Sequence, residues 1–135
     1  MKKILILLLL TSLCAITFIS CSTDVNNGIT FKNLASGDIH VNFRANLTTV
    51  KAGEEVTLSN LPKGTFEYNT TYEIPAGVQS SQAEGDLAGE LDITAGTKIL
   101  IVYASVVQEG VYKISATKTS SDDLNDDGLI NPVGP

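Results

Sequence analysis

The chain has 135 residues, 15 acidic side chains against 9 basic ones, and a formal net charge of −6. Its length suits one domain, and 43% hydrophobic with 18% charged residues is the balance of a globular chain. The acidic surplus argues against charge-driven binding of nucleic acid or anionic lipid, while one histidine and two cysteines leave little for metal-hydrolase or Cys–His chemistry.

Met1-Lys2-Lys3 is a short cationic start, and the apolar run from Ile4 to Ile19 ends at Ser20-Cys21. This is the layout of a secretory signal peptide: charge kept inside, an apolar stretch for the translocon, a small residue before the cut. The 17 residues from 4 to 20 are at the short end of what crosses about 30 Å of hydrocarbon. The run also stops at a small residue and a cysteine, not at the basic cluster that halts a transmembrane anchor.

Phe18-Ile19-Ser20-Cys21 resembles the bacterial lipobox, with Phe18 where that family usually carries Leu, Val or Ile. The resemblance covers the first 21 residues. It implies cleavage before Cys21, a diacylglyceryl thioether and an N-acyl chain such as palmitate on that residue, and the lipid bilayer as partner; several acyl chains anchor stably where one is marginal. Ser22 follows where an inner-membrane retention signal would carry Asp, so the resemblance implies the outer membrane in a two-membrane host. In a one-membrane host it implies the outer face of the cytoplasmic membrane. Cys14 follows Thr11-Ser12-Leu13 and lacks the small neighbour such a cut needs. Cleavage would leave 115 residues with 7 basic against 15 acidic side chains, a balance of −8. Its only cysteine would carry lipid, so the domain would rely on its apolar core.

Residues 21–28 read as a polar, lipidated tether. Period-2 alternation then runs from residue 29 to 118 and predicts strands throughout. Ile29-Thr30-Phe31 opens the first, ending at Ala35-Ser36-Gly37. From Asp38 to Arg44, Ile39, Val41 and Phe43 share one face while His40 and Asn42 share the other. Ala45-Asn46 is the expected turn into a weak strand from Leu47 to Lys51. Val56 and Leu58 share a face, and Leu61-Pro62-Lys63-Gly64 turns the chain. Phe66, Tyr68, Thr70 and Tyr72 alternate, whereas Ile74 to Glu84 shows no period and is expected to be the longest loop. Leu87, Gly89, Leu91 and Ile93 follow on one face. Ile99 to Tyr103 is apolar on both faces, which predicts a central strand covered on both sides. Val111 to Lys118 closes the set with Tyr112, Ile114 and Ala116 inward. Turns every 8–12 residues predict an all-β fold, an antiparallel β-sandwich of about seven to eight strands. The turns Gly53-Glu54-x-Val56-x-Leu58 and Leu61-Pro62-x-Gly64-Thr65-Phe66 are similar to those of prealbumin-like and immunoglobulin-like bacterial surface domains. That likeness implies a fold and no function.

His40 has Asp38 two residues away, yet no Gly-x-Ser-x-Gly turn marks a nucleophile, and a solvated histidine is the expectation. Glu54-Glu55 lie in a turn where their side chains diverge, unlike a carboxyl pair facing across a cleft. Tyr68, Tyr72, Tyr103 and Tyr112 could form a sugar platform, but alternation points most of them into the core. Residues 119–135 form an acidic tail. Within it Asp123-x-Asn125-x-Asp127-Gly128-Leu129 resembles the first half of an EF-hand or dockerin loop. The resemblance implies Ca²⁺ ligands at Asp123, Asn125 and Asp127 and the Leu129 carbonyl, while Gly134 stands where the bidentate carboxylate belongs, so affinity would be weak and solvation of the tail is the rival reading. The functional expectation is a membrane-anchored, non-catalytic binding or structural module of the cell envelope, with a protein or glycan ligand. The alternative is a periplasm-facing accessory subunit that pairs through strand edges.

Overall fold

The computed structural model describes residues 26–123, and every regular element in them is a strand. There are nine: β1 (Gly28–Leu34), β2 (Ile39–Phe43), β3 (Asn46–Val50), β4 (Glu55–Ser59), β5 (Gly64–Tyr72), β6 (Ser80–Gly85), β7 (Ala88–Ile93), β8 (Lys98–Gln108) and β9 (Val111–Ser120). They form a five-stranded sheet in the order β4-β1-β8-β9-β6 and a four-stranded sheet in the order β3-β2-β5-β7. We call these sheet A and sheet B.

The alternation read in β2 is the alternation observed. Ile39, Val41 and Phe43 are buried, while Asn42 is exposed and His40 is half-buried. The same holds in β5, β7 and β9, whose inward residues meet Ile29, Phe31, Ile99, Ile101 and Tyr103 of β1 and β8 in one core. Sheets that each bury one face against the other need this period of two, because side chains leave a strand on alternate sides.

Five expectations need correction, the first being the strand number, nine where about seven to eight were expected. The stretch from Ile74 to Glu84 is not a loop throughout: β6 occupies Ser80–Gly85 and pairs with β9. Its sequence shows no apolar alternation because it lies at the sheet margin, where backbone hydrogen bonds hold a strand that buries little side chain. The sheets are not wholly antiparallel, since β1–β8 and β6–β9 are parallel. β8 is central between β1 and β9 but, among the described residues, is covered on one side only. Ile99, Ile101 and Tyr103 are buried and Leu100 is 40% exposed on the other face. The turn after β2 is Arg44-Ala45, with Asn46 opening β3 opposite Phe43.

Two buried asparagines tie the ends of β1. Asn33 donates to the carbonyls of Gly37 and Val50, both at 2.9 Å, and accepts the Ala35 amide at 2.9 Å. Asn27 donates to the Leu61 carbonyl at 3.0 Å and accepts the Gly96 amide at 2.7 Å. Each thereby meets the rule that buried polar groups must be hydrogen-bonded. Gly85 turns the chain from sheet A to sheet B at φ 78°, and a Cβ there would lie 2.2 Å from the Ala116 carbonyl oxygen. No other residue fits that crossing.

Two hairpins use the same two-residue loop with both residues at positive φ: Glu109-Gly110 between β8 and β9, and Arg44-Ala45 between β2 and β3. Only the first supplies the glycine this turn favours. Ala45→Gly is therefore expected to stabilise the fold by about 0.5–1 kcal/mol, the left-handed penalty of an L-residue less the added chain entropy of glycine. A rise in the urea midpoint at constant slope would show it.

Candidate binding face

The outward positions of sheet B form a largely polar grid whose rows are set by register, with exposed Leu47 of β3 at its margin opposite Asn42. Asn42 of β2 stands opposite Asn69 of β5, which stands opposite Ala88 of β7. One row along, Glu67 of β5 stands opposite Glu90 of β7. Ala88 and Gly89 are small, so the β7 side of the face is low, and an open groove of about 720 Å³ runs across it. At its rim Arg44 places its guanidinium 5.2 Å from the centroid of the Phe66 ring, and Phe66 meets Phe43 edge-on at 5.8 Å. A cation over an aromatic face in this range is attracted by the ring quadrupole, which holds the Arg44 stem against the rim.

Glu67 and Glu90 are both exposed and carry like charge at directly opposed positions, an arrangement that costs a few tenths of a kcal/mol to about 1 kcal/mol unless a cation intervenes. Asp92 lies further along β7, where its carboxylate accepts the Thr65 hydroxyl at 2.6 Å. The amide side chains of Asn42 and Asn69 offer donors and acceptors together, and the carboxylates offer acceptors alone. The face is thus equipped for hydrogen bonding and for cations.

The residues singled out from the sequence do not gather here. His40 lies on the same outer face, but its Nδ1 is 2.9 Å from the Thr49 hydroxyl and its Nε2 is 3.9 Å from Glu73. Asp38 turns away from it and accepts the Ala52 amide at 3.0 Å. Glu54 and Glu55 are exposed, and Glu55 stands opposite Lys32. Asp123 closes the described chain, while Asn125, Asp127, Leu129 and Cys21, where lipidation was expected, lie outside the described residues. No group of three or more His, Cys, Asp or Glu able to hold a metal occurs among the described residues.

The tyrosines belong to the core, as alternation implied: Tyr68, Tyr103 and Tyr112 are buried and Tyr72 is half-buried against Tyr112 at 6.0 Å. Tyr103 of sheet A shares a 2.8 Å hydrogen bond with Thr70 of sheet B. Burial pushes its phenol up to about 12 from 10.0, with the Thr70 bond acting the other way. Burial raises Tyr68 as well, reinforced by Tyr103 and Asp86, and its hydroxyl donates to the Asp86 carbonyl at 2.7 Å. The Tyr112 hydroxyl is buried and has no hydrogen-bond partner among the described residues.

A scan against protein-family models and a search of curated proteins each return no match. The groove residues Asn42, Glu67, Asn69 and Glu90 escaped sequence reading because each looks like an ordinary solvent-facing position of its own strand. Only the cross-strand register brings them together.

Two outcomes follow from the tyrosines. Tyr112→Phe should leave stability unchanged or raise it by up to about 1 kcal/mol, whereas Tyr103→Phe should cost about 1–2 kcal/mol because it orphans the Thr70 hydroxyl. Paired denaturant titrations of the two variants check the contrast. Because the folded phenols of Tyr68 and Tyr103 resist ionisation, their contribution is complete below pH 10 and falls as pH rises above it, that of Tyr103 being lost as pH climbs through about 12 and that of Tyr68 at higher pH still. Unfolding free energy should therefore be lower at pH 11.5 than at pH 9.

Proposed function

We propose that this chain is a membrane-anchored bacterial lipoprotein whose β-domain serves as a non-catalytic binding or structural module at the cell envelope. The observation that carries the reading is Ser20-Cys21 at the end of an apolar run, followed within seven residues by β1 at Gly28. Seven extended residues reach about 25 Å at most, so acylated Cys21 would hold the domain close to the bilayer. The end of the fold that carries Gly28 would then face the membrane. In this reading residence in the outer membrane of a two-membrane host follows from Ser22, and the two-sheet layout is a sandwich of immunoglobulin-like or prealbumin-like kind. Repeated crossing of consecutive strands between the sheets supports that assignment.

The polar groove on sheet B supports binding as the task, since the exposed amides of Asn42 and Asn69 and the carboxylates of Glu67 and Glu90 line it. A second reading, an accessory subunit of an envelope assembly joined through strand edges, is favoured by one observation. β7 ends sheet B with backbone groups facing away from β5.

Cys21→Ala should move the chain from the membrane fraction to the soluble fraction and abolish its labelling by radioactive palmitate. Retention in the membrane with unchanged labelling would defeat the anchoring claim.

A further inference from the structure

Among the described residues no strand pairs with the outer edge of β7, which leaves a definite set of backbone groups there. The Thr70 amide donates to the Leu87 carbonyl at 2.8 Å, and antiparallel ladders alternate, so Leu87, Gly89, Leu91 and Ile93 turn their backbone groups toward β5. Ala88, Glu90 and Asp92 therefore turn theirs outward. The Glu90 carbonyl confirms the phase, because it accepts the Lys118 ammonium from outside sheet B at 3.2 Å. A lysine laid on a strand edge is one of the devices by which proteins block unwanted pairing.

The surroundings of this edge are acidic along its length. Glu67 and Glu90 line the groove of about 720 Å³. An adjoining cleft of about 250 Å³ brings Glu90 and Asp92 together with Asp122, Asp123 and Lys118. The other sheet margins lack this: β3 has no charged residue, β6 has only Glu84, and the one acid of β4, Glu55, stands opposite Lys32. A strand bringing its own cations would satisfy the outward amides and relieve the opposed Glu67 and Glu90 carboxylates at the same time.

We propose that the β7 edge is a docking site for an extended, basic polypeptide segment, which adds to sheet B as a fifth strand and sets Lys or Arg side chains against Glu67 and Glu90. Lys118 guards the edge in the free protein and yields the Glu90 carbonyl to the incoming strand. This rests on the reading of the domain as a binding module, but not on its lipid anchor, so the two fail separately.

The test uses the full chain purified in detergent and a nine-residue synthetic peptide alternating Val and Lys, at concentrations up to about 1 mM, as expected for weak strand addition. Binding should slow hydrogen exchange of the Ala88, Glu90 and Asp92 amides at least tenfold. It should be lost with a Val–Glu peptide, with the Val–Lys peptide N-methylated along its backbone, and in the Glu67→Lys/Glu90→Lys double variant. Lys118→Ala should tighten binding severalfold. The peptide controls leave the protein unaltered, so they decide the matter even if the double variant folds poorly. No binding, binding that ignores peptide charge or N-methylation, or protection confined to another strand would each overturn the proposal.

Discussion

Everything else in this fold depends on two sheets burying their inner faces against each other with no covalent tie. Neither cysteine lies among the described residues, so the domain has no disulfide with which to compensate for a weak core. At the centre Tyr103 of β8 and Thr70 of β5 share a hydrogen bond between buried hydroxyls, and this fixes the lateral position of one sheet over the other. Apolar contacts such as Ile101 and Val41 are strong but tolerant of sliding, whereas a buried hydroxyl that loses its partner pays the full cost of desolvation. Asp86 adds a second tie at the margin: its carboxylate accepts the Lys118 amide of sheet A, and its carbonyl accepts the Tyr68 hydroxyl of sheet B.

Once the inner faces are committed, the outer faces are free to differ, and they do. Sheet B turns amides and carboxylates outward, and small residues in β7 lower one side into a groove. Sheet A turns out an aliphatic row along β8 beside threonines of β1 and β9, with Leu100 between Thr30 and Thr119. Glu67 and Glu90 stand opposite each other on the exposed face, a cross-strand pair of like charge that contributes nothing favourable to the fold. That is the physical ground for looking to this side of the molecule for a partner, and the free edge of β7 lies next to it.

How much could be read in advance varied with burial. β2, β5, β7 and β9 declared themselves because one of their faces is apolar and the other polar, a pattern that burial on one side requires. β6 did not, since an edge strand with Ser80, Gln82 and Glu84 buries too little to leave a periodic trace. β8 misled for the opposite reason. A strand apolar on both faces normally lies under cover on both, and nothing among the described residues covers Leu100. Asn33 and Asn27 passed as ordinary polar residues, because their role consists of bonds to Gly37, Val50, Leu61 and Gly96, distant carbonyls and amides that no local pattern reveals.

The sequence by itself determined that the chain is all-β, which side chains of most strands turn inward, and that an apolar run ending in a small residue and a cysteine precedes the domain. Those follow from short-range chemistry: alternation along a strand, turn-forming residues between strands, and the composition of a contiguous segment. Only the tertiary structure decided which strands are neighbours, that two of the pairings are parallel, and that Glu67 meets Glu90 beside an open edge. Pairing is a choice among non-local partners made by the whole core at once, so the residues that line the candidate site acquire their meaning only after that choice.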